Sequence, residues 1–210
     1  MRVDFDPQVM SSRNFYKLLT ATVVPRPIAW VSTISGDDVA NLAPHSFFTV
    51  SCVDPPMVQF TSVGTKDTLT NVRSTAEFVV CAATEPMFER INATATDFPP
   101  DIGEFEAAGL TPEPSRTVSP PRVAESPAAF ECTLERDIEL GDSTVVIGRV
   151  RELVLDEDLL VRDERDNLLP DAGKLAPLAR LGRDEWATLG EILRIPRISY
   201  ADWPGHFDRG

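Results

Sequence analysis

Apolar and polar residues alternate most cleanly over residues 130–138. Phe130, Cys132, Leu134 and Ile138 fall on one face, with Glu131, Thr133, Glu135 and Asp137 on the other. A period of two marks a half-buried strand, because successive side chains of a pleated backbone point to opposite faces. Residues 144–154 repeat the signal, and Gly141-Asp142 between the two runs is hairpin-turn chemistry. Upstream, strand-like runs occupy 28–35, about 39–43, 46–52, 57–62 and 77–82, with turn residues at Gly36-Asp37-Asp38 and Asp54-Pro55-Pro56. Two segments switch to helical spacing. Residues 12–20 place Phe15, Leu18 and Leu19 on one side, and Pro25 and Pro27 end that helix; residues 66 to about 76 do the same with Leu69, Val72 and Arg73.

Residues 92–127 break this pattern with Pro99, Pro100, Pro112, Pro114, Pro120, Pro121 and Pro127, leaving room for a helical turn or two around 102–108. Strand signal resumes strongly afterwards, so the stretch reads as an excursion within one domain, 1–210, rather than a linker. Excursions this long commonly act as lids or partner-contact surfaces. About six strands without strand–helix alternation predict a mainly β, antiparallel barrel with a few peripheral helices, not a doubly wound sheet.

Composition narrows the function. A chain of 210 residues, 42% apolar and 25% charged, can bury a sizeable core and is not disordered. Its net charge of −13 repels nucleic acid and anionic lipid, and no Lys/Arg block overrides that. Basic residues are 17 Arg and only three Lys, which makes Lys66 conspicuous. Cys52, Cys81 and Cys132 are widely spaced in apolar runs and read as buried, reduced thiols. Neither His45 nor His206 has a partner at metal-ligand spacing, so no metal site is expected. No run approaches the ~18 apolar residues of a membrane span, and no secretory leader precedes the first helix; a cytoplasmic protein is expected. Nucleophile elbow, phosphate-binding glycine loop and dinucleotide glycine fingerprint are all missing.

Three runs hold the candidate chemistry. In Arg26-Pro27-Ile28-Ala29-Trp30-Val31-Ser32-Thr33, Arg26 lies between two prolines that stiffen its backbone, and its planar fork matches phosphate oxygens. Equally, it could be a surface cation at a strand start. In Asn41-Leu42-Ala43-Pro44-His45-Ser46, Pro44 interrupts strand pairing and frees backbone groups for a ligand edge, or simply bends an edge strand. Lys66-Asp67-Thr68 opens a helix, where unpaired amides and the dipole favour an anion; an ordinary helix start capped by Thr65 or Asp67 is the alternative.

In this order and spacing the three runs resemble the flavin reductase-like, FMN-binding split-barrel family, the flavoredoxin group. Val53 to Phe60, Glu104 to Thr111 with Pro121-Arg122-Val123, Gly141 to Val150, and Pro177 to Gly182 extend the likeness over roughly residues 14–196. The resemblance implies a six-stranded Greek-key split barrel, homodimeric, with FMN in a groove between subunits. It implies phosphate contacts from Arg26, Ser46, Lys66 and Thr68. Trp30, Val31, Ser32, Thr33, Asn41, Leu42, Ala43 and Pro44 would follow the ribityl chain and ring, while Asp67 orients Lys66 or caps the helix. NADH or NADPH would supply hydride, with His45 a candidate nicotinamide contact and no other catalytic side chain. The final acceptor would be a small molecule or a partner monooxygenase. A ferric or disulfide reductase using bound FMN, or a non-catalytic FMN carrier, are the alternatives. In relatives that pair with monooxygenases the strand after Gly-Asp often begins with His; here it begins with Ser143.

Overall fold

The computed structural model describes residues 1–99 and 102–203; His206 lies outside them. Seven strands make one antiparallel sheet: β1 (Ala29–Ile34), β2 (Ala40–His45), β3 (Phe48–Cys52), β4 (Met57–Val63), β5 (Glu77–Ala82), β6 (Ala128–Leu140) and β7 (Ser143–Leu155). Their spatial order is β2-β1-β5-β6-β7-β4-β3. The two edge strands, β2 and β3, are therefore neighbours in sequence, joined only by Ser46 and Phe47. That is possible only if the sheet curls until its edges nearly meet. The Thr61 amide bonds the Phe47 carbonyl at 2.9 Å, extending the β3–β4 pairing into the link, but no β2–β3 ladder closes the barrel. The sheet has seven strands where six were expected, because each of the seven strand-like runs forms its own strand.

The curl creates two cores. Val31, Phe60, Phe78, Val80 and Val146 fill the concave side, joined by Leu69 and Val72 of helix α2 (Asp67–Thr75), which plugs it. Phe60 and Phe78 meet edge-on, ring centroids 5.5 Å apart. On the outer face Trp30, Leu42, Val79 and Cys81 pack beneath the excursion, which contributes Phe105, Leu110, Val118 and Val123. Strands β1 and β5 are thus covered on both sides, which explains their unbroken apolar runs. The excursion carries the end of helix α3 (Phe88–Ala93), helix α4 (Glu104–Ala107) and a short pairing of Pro112–Glu113 with Arg122–Val123.

The excursion also overturns one expectation. Glu131 falls on the polar face of its strand yet is fully buried. Its carboxylate accepts from the Arg116 amide (3.0 Å) and from the Thr117 amide and hydroxyl (2.7 and 2.6 Å), and pairs with Arg122 at 3.5 Å. Burial pushes its pKa up, but these bonds and the Arg122 charge outweigh that and hold it below the usual carboxylate range. Cys81 and Cys132 are buried free thiols, each pushed up to about 12 by burial, whereas Cys52 is only half-buried. Among the described residues no helix is long and apolar enough to cross a membrane, and no cluster of metal-ligating side chains occurs.

Helix α1 (Ser12–Thr22) begins at Ser11, whose side chain caps the Asn14 amide. It lies against the seam between the sheet edges, where its Tyr16 ring meets Phe47 at 6.4 Å.

Candidate functional site

A cavity of about 450 Å3 opens at the seam, within the ~300–1,000 Å3 usual for small-molecule sites. Asn41, Ala43, Pro44, His45 and Ser46 line one side, on β2 and the link beyond it. Lys66, Asp67 and Thr68 line another, at the start of α2. Lys66 occupies the N-cap position without a side-chain cap bond, so neither Thr65 nor Asp67 caps this helix. Its first-turn N–H groups remain open to an anion. The Lys66 ammonium pairs with Asp97 at 3.3 Å, but both side chains are mostly exposed, so the pair is weak and exchangeable.

Four buried polar side chains pin the two sides together. Asn41 Nδ2 donates to Thr33 Oγ1 (3.3 Å) and Thr68 Oγ1 (3.1 Å), and Asn71 Nδ2 donates to Thr33 Oγ1 (3.1 Å). Thr33 thus does not line the cavity; it holds the residues that do. His45 is buried against Phe60, centroids 4.7 Å apart, and its Nε2 has no partner. Desolvation drives its pKa down to about 4; a bond with the Thr61 backbone opposes this and the Lys66 charge adds to it. At neutral pH it presents an uncharged imidazole.

The remaining expected residues lie elsewhere. Trp30, Val31 and Leu42 are fully buried core side chains; the Trp30 indole donates to Thr94 Oγ1 at 2.9 Å. Ser32 is also fully buried, and its hydroxyl has no partner. Arg26 does not reach the cavity that Lys66 lines. One of its terminal nitrogens donates to the carbonyls of Thr20 and Val23 (3.0 Å to the latter), the other to that of Leu181 at 2.7 Å. It ties off the end of α1, where a helix leaves carbonyls unsatisfied.

Other residues complete the cavity without having stood out in the sequence: Tyr16, Thr61, Thr94, Thr96, Phe98 and Glu104. Glu104 is half-buried and accepts from the Leu42 amide at 3.1 Å. Burial raises its pKa, the Asp67 charge adds to that, and hydrogen bonds from its own and the Leu42 amide oppose it. A second cavity, about 240 Å3, continues past Asn41, Asp67 and Glu104.

The site is thus a hydroxyl-rich cavity at the open seam of a curled antiparallel sheet, with Lys66 and an uncapped helix start set beside three carboxylates, Asp67, Asp97 and Glu104. Residues 21–170 match the flavin reductase like domain, and the chain belongs to that family. A protein of Aquifex aeolicus is 42% identical over 179 residues, 80% of this chain and 87% of that one. Nitrilotriacetate monooxygenase component B from Bacillus cereus is 34% identical, superposes with a TM-score of 0.86 and covers 93% of this chain and 99% of its own. A structure with a split barrel domain from Shewanella frigidimarina, 20% identical, has a TM-score of 0.83 over 94% and 100% of the two chains and shares the fold. Mainly β architecture of split-barrel type and a flavin-related role follow from family and fold together.

Proposed function

We propose that this protein is an NAD(P)H-dependent flavin reductase that binds FMN in the seam cavity. The observation that carries the reading is the meeting of the Asn41–Ser46 run with the uncapped start of α2 around one cavity of suitable volume. The residues fit the group. Lys66, Thr68, Ser46 and the first-turn amides of α2 suit a phosphate, while the Asn41, Ala43 and Pro44 stretch and the unpartnered His45 Nε2 suit a polyol and a polar ring edge.

When bound, FMN supplies the redox chemistry, taking hydride from a reduced nicotinamide and passing electrons on. The protein's part is positioning. Thr33 and Asn71 fix Asn41 and Thr68, so the two walls keep their spacing. His45 stays neutral, able to accept a hydrogen bond without adding charge. Glu104 and Asp67 line both the seam cavity and the second one, where the two cavities meet. The likeness to a monooxygenase component B favours release of reduced flavin to a separate oxygenase over a ferric or disulfide reductase with tightly held FMN. Exposed Leu189, Ile192, Leu193 and Ile195 in the tail supply apolar surface for a homodimer.

The purified protein should bind FMN more tightly than riboflavin in fluorescence titrations, and NADH or NADPH should bleach the bound flavin anaerobically. Lys66→Ala should weaken FMN about fivefold, as a point charge worth about 1 kcal/mol at a helix start, and leave riboflavin unchanged. Equal affinity for both flavins in the native protein would remove the phosphate from this cavity. FMN binding without nicotinamide oxidation would make the protein a carrier.

A further inference from the structure

A third cavity, about 360 Å3, adjoins the seam cavity through Tyr16 and Ser46, which line both. Its walls carry Arg13, Lys17, Arg26, Arg180 and Arg183 against one carboxylate, Asp184. This is a concentrated positive pocket on a chain of net charge −13. Among the described residues none of these cations forms an ion pair. Arg180 bonds only the Glu185 carbonyl and stacks 4.7 Å over the Trp186 ring. Arg26 is more than nine-tenths buried, and its Nε–H has no partner even though its terminal nitrogens are engaged. Five cations gathered around a single carboxylate repel one another, so the arrangement calls for a further anion.

On the flavin-reductase reading, we infer that this pocket receives the phosphorylated adenosine end of the reductant and selects NADPH over NADH. The seam cavity already has its own phosphate-binding elements in Lys66, Thr68 and the start of α2, so the flavin phosphate does not require the second set of cations. The two nicotinamide donors differ by one phosphate on the adenosine ribose. Arginines are suited to it, because a planar fork pairs with phosphate oxygens in a bidentate manner. Tyr16 and Ser46 line both cavities, so a reductant whose nicotinamide meets the flavin at the seam has its other end directed toward this pocket. Arg26 acts here as a floor, held in place by the end of α1, while Arg13, Lys17, Arg180 and Arg183 are the adjustable contacts.

The test uses adenosine 2′,5′-bisphosphate as a flavin-independent probe, with 5′-AMP as its control, by calorimetry on the native protein and on Lys17→Glu/Arg183→Glu. Melting temperature and FMN affinity of the variant are measured alongside. The bisphosphate should bind about tenfold or more tighter than 5′-AMP, the increment of one charge-assisted contact. The variant should lose that preference while keeping its FMN dissociation constant, and the ratio of kcat/KM for NADPH over NADH should fall with it. No discrimination between the two nucleotides, or a preference that survives the double reversal, overturns the inference. A parallel loss of FMN affinity in the variant also overturns it, by making this pocket the seat of the flavin phosphate. A protein that discriminates the nucleotides but takes no FMN would sink the flavin reading and leave the pocket's ligand standing.

Discussion

Replacing Thr33 with Val tests how the two cavity walls are joined. Valine keeps the shape and removes the oxygen that accepts from Asn41 and Asn71. Asn71 Nδ2 then loses its 3.1 Å bond at a buried position beside the second cavity, at a cost of about 1–3 kcal/mol for an unsatisfied buried donor. Asn41 loses only its longer 3.3 Å bond and keeps Thr68 at 3.1 Å, so its share is smaller. A destabilisation of about 2 kcal/mol results, or roughly 4–8 °C in melting temperature for a chain of this size. FMN affinity should fall in parallel as the start of α2 loosens from β2. Thr33→Ser, which retains the acceptor, should preserve most of both. Differential scanning fluorimetry and FMN titration on the three proteins decide the matter. Weakened FMN binding with an unchanged melting temperature in Thr33→Val would refute the reasoning, since it would make Thr33 a direct ligand contact.

Three further substitutions probe other parts of the fold. A Cβ at Gly148 would sit 2.2 Å from Phe78 Cζ and 3.1 Å from Cys132 Cβ, so Gly148→Ala should cost about 1–3 kcal/mol by overpacking, partly recovered by Phe78→Leu; an unshifted chemical melt would show that the ring relaxes freely. Glu131 has a depressed pKa, so its stabilisation is complete above the ordinary carboxylate value and is lost as pH falls through the folded one. The gap in melting temperature between native protein and Glu131→Gln should therefore be widest near neutrality and shrink in acid, and a constant gap would mean that the charge of Glu131 contributes nothing. His45 titrates in the folded state only near pH 4, against about 6.5 unfolded. Its contribution is full above about 6.5 and declines toward 4, so His45→Gln should flatten the stability profile over that window; an unaltered slope there would refute the burial argument.

The strands were legible because burial on a curled sheet imposes its period on the residues: 130–138 and 144–154 could be read directly. The hydroxyl and cation runs at Asn41–Ser46 and Lys66–Thr68 were equally visible, and the fold brings them to one cavity. What could not be read was set by the excursion and by α1. Glu131 alternates like a solvent-facing residue, yet it is covered by Arg116 and Thr117 from fifteen residues or so upstream. Arg26 has the sequence setting of a phosphate ligand, but carbonyls at the end of α1 claim one of its terminal nitrogens and the Leu181 carbonyl claims the other. Glu104 and Thr94 enter the site from a proline-rich stretch with no periodicity to place them. Trp30 sits in the same run with its side chain in the core beneath the excursion, since only the strand's partners determine which side of the sheet is wall and which is core.

The sheet order also dictates when the cavity can exist during synthesis. The β1–β2 side reaches the rest of the barrel through β5 and β6, with Glu77 opposite Thr133, and the β3–β4 side reaches it only through β7, with Met57 opposite Arg149. Both ribbons are thus translated within the first 70 residues, but no strand pairing joins them until the 128–155 hairpin has left the ribosome. A nascent chain lacking that hairpin has two unpaired β-ribbons with exposed edges, the condition in which strands seek foreign partners. The long β6–β7 hairpin, farthest from the cavity along the sheet, is the piece whose arrival commits the chain to a ligand-binding shape.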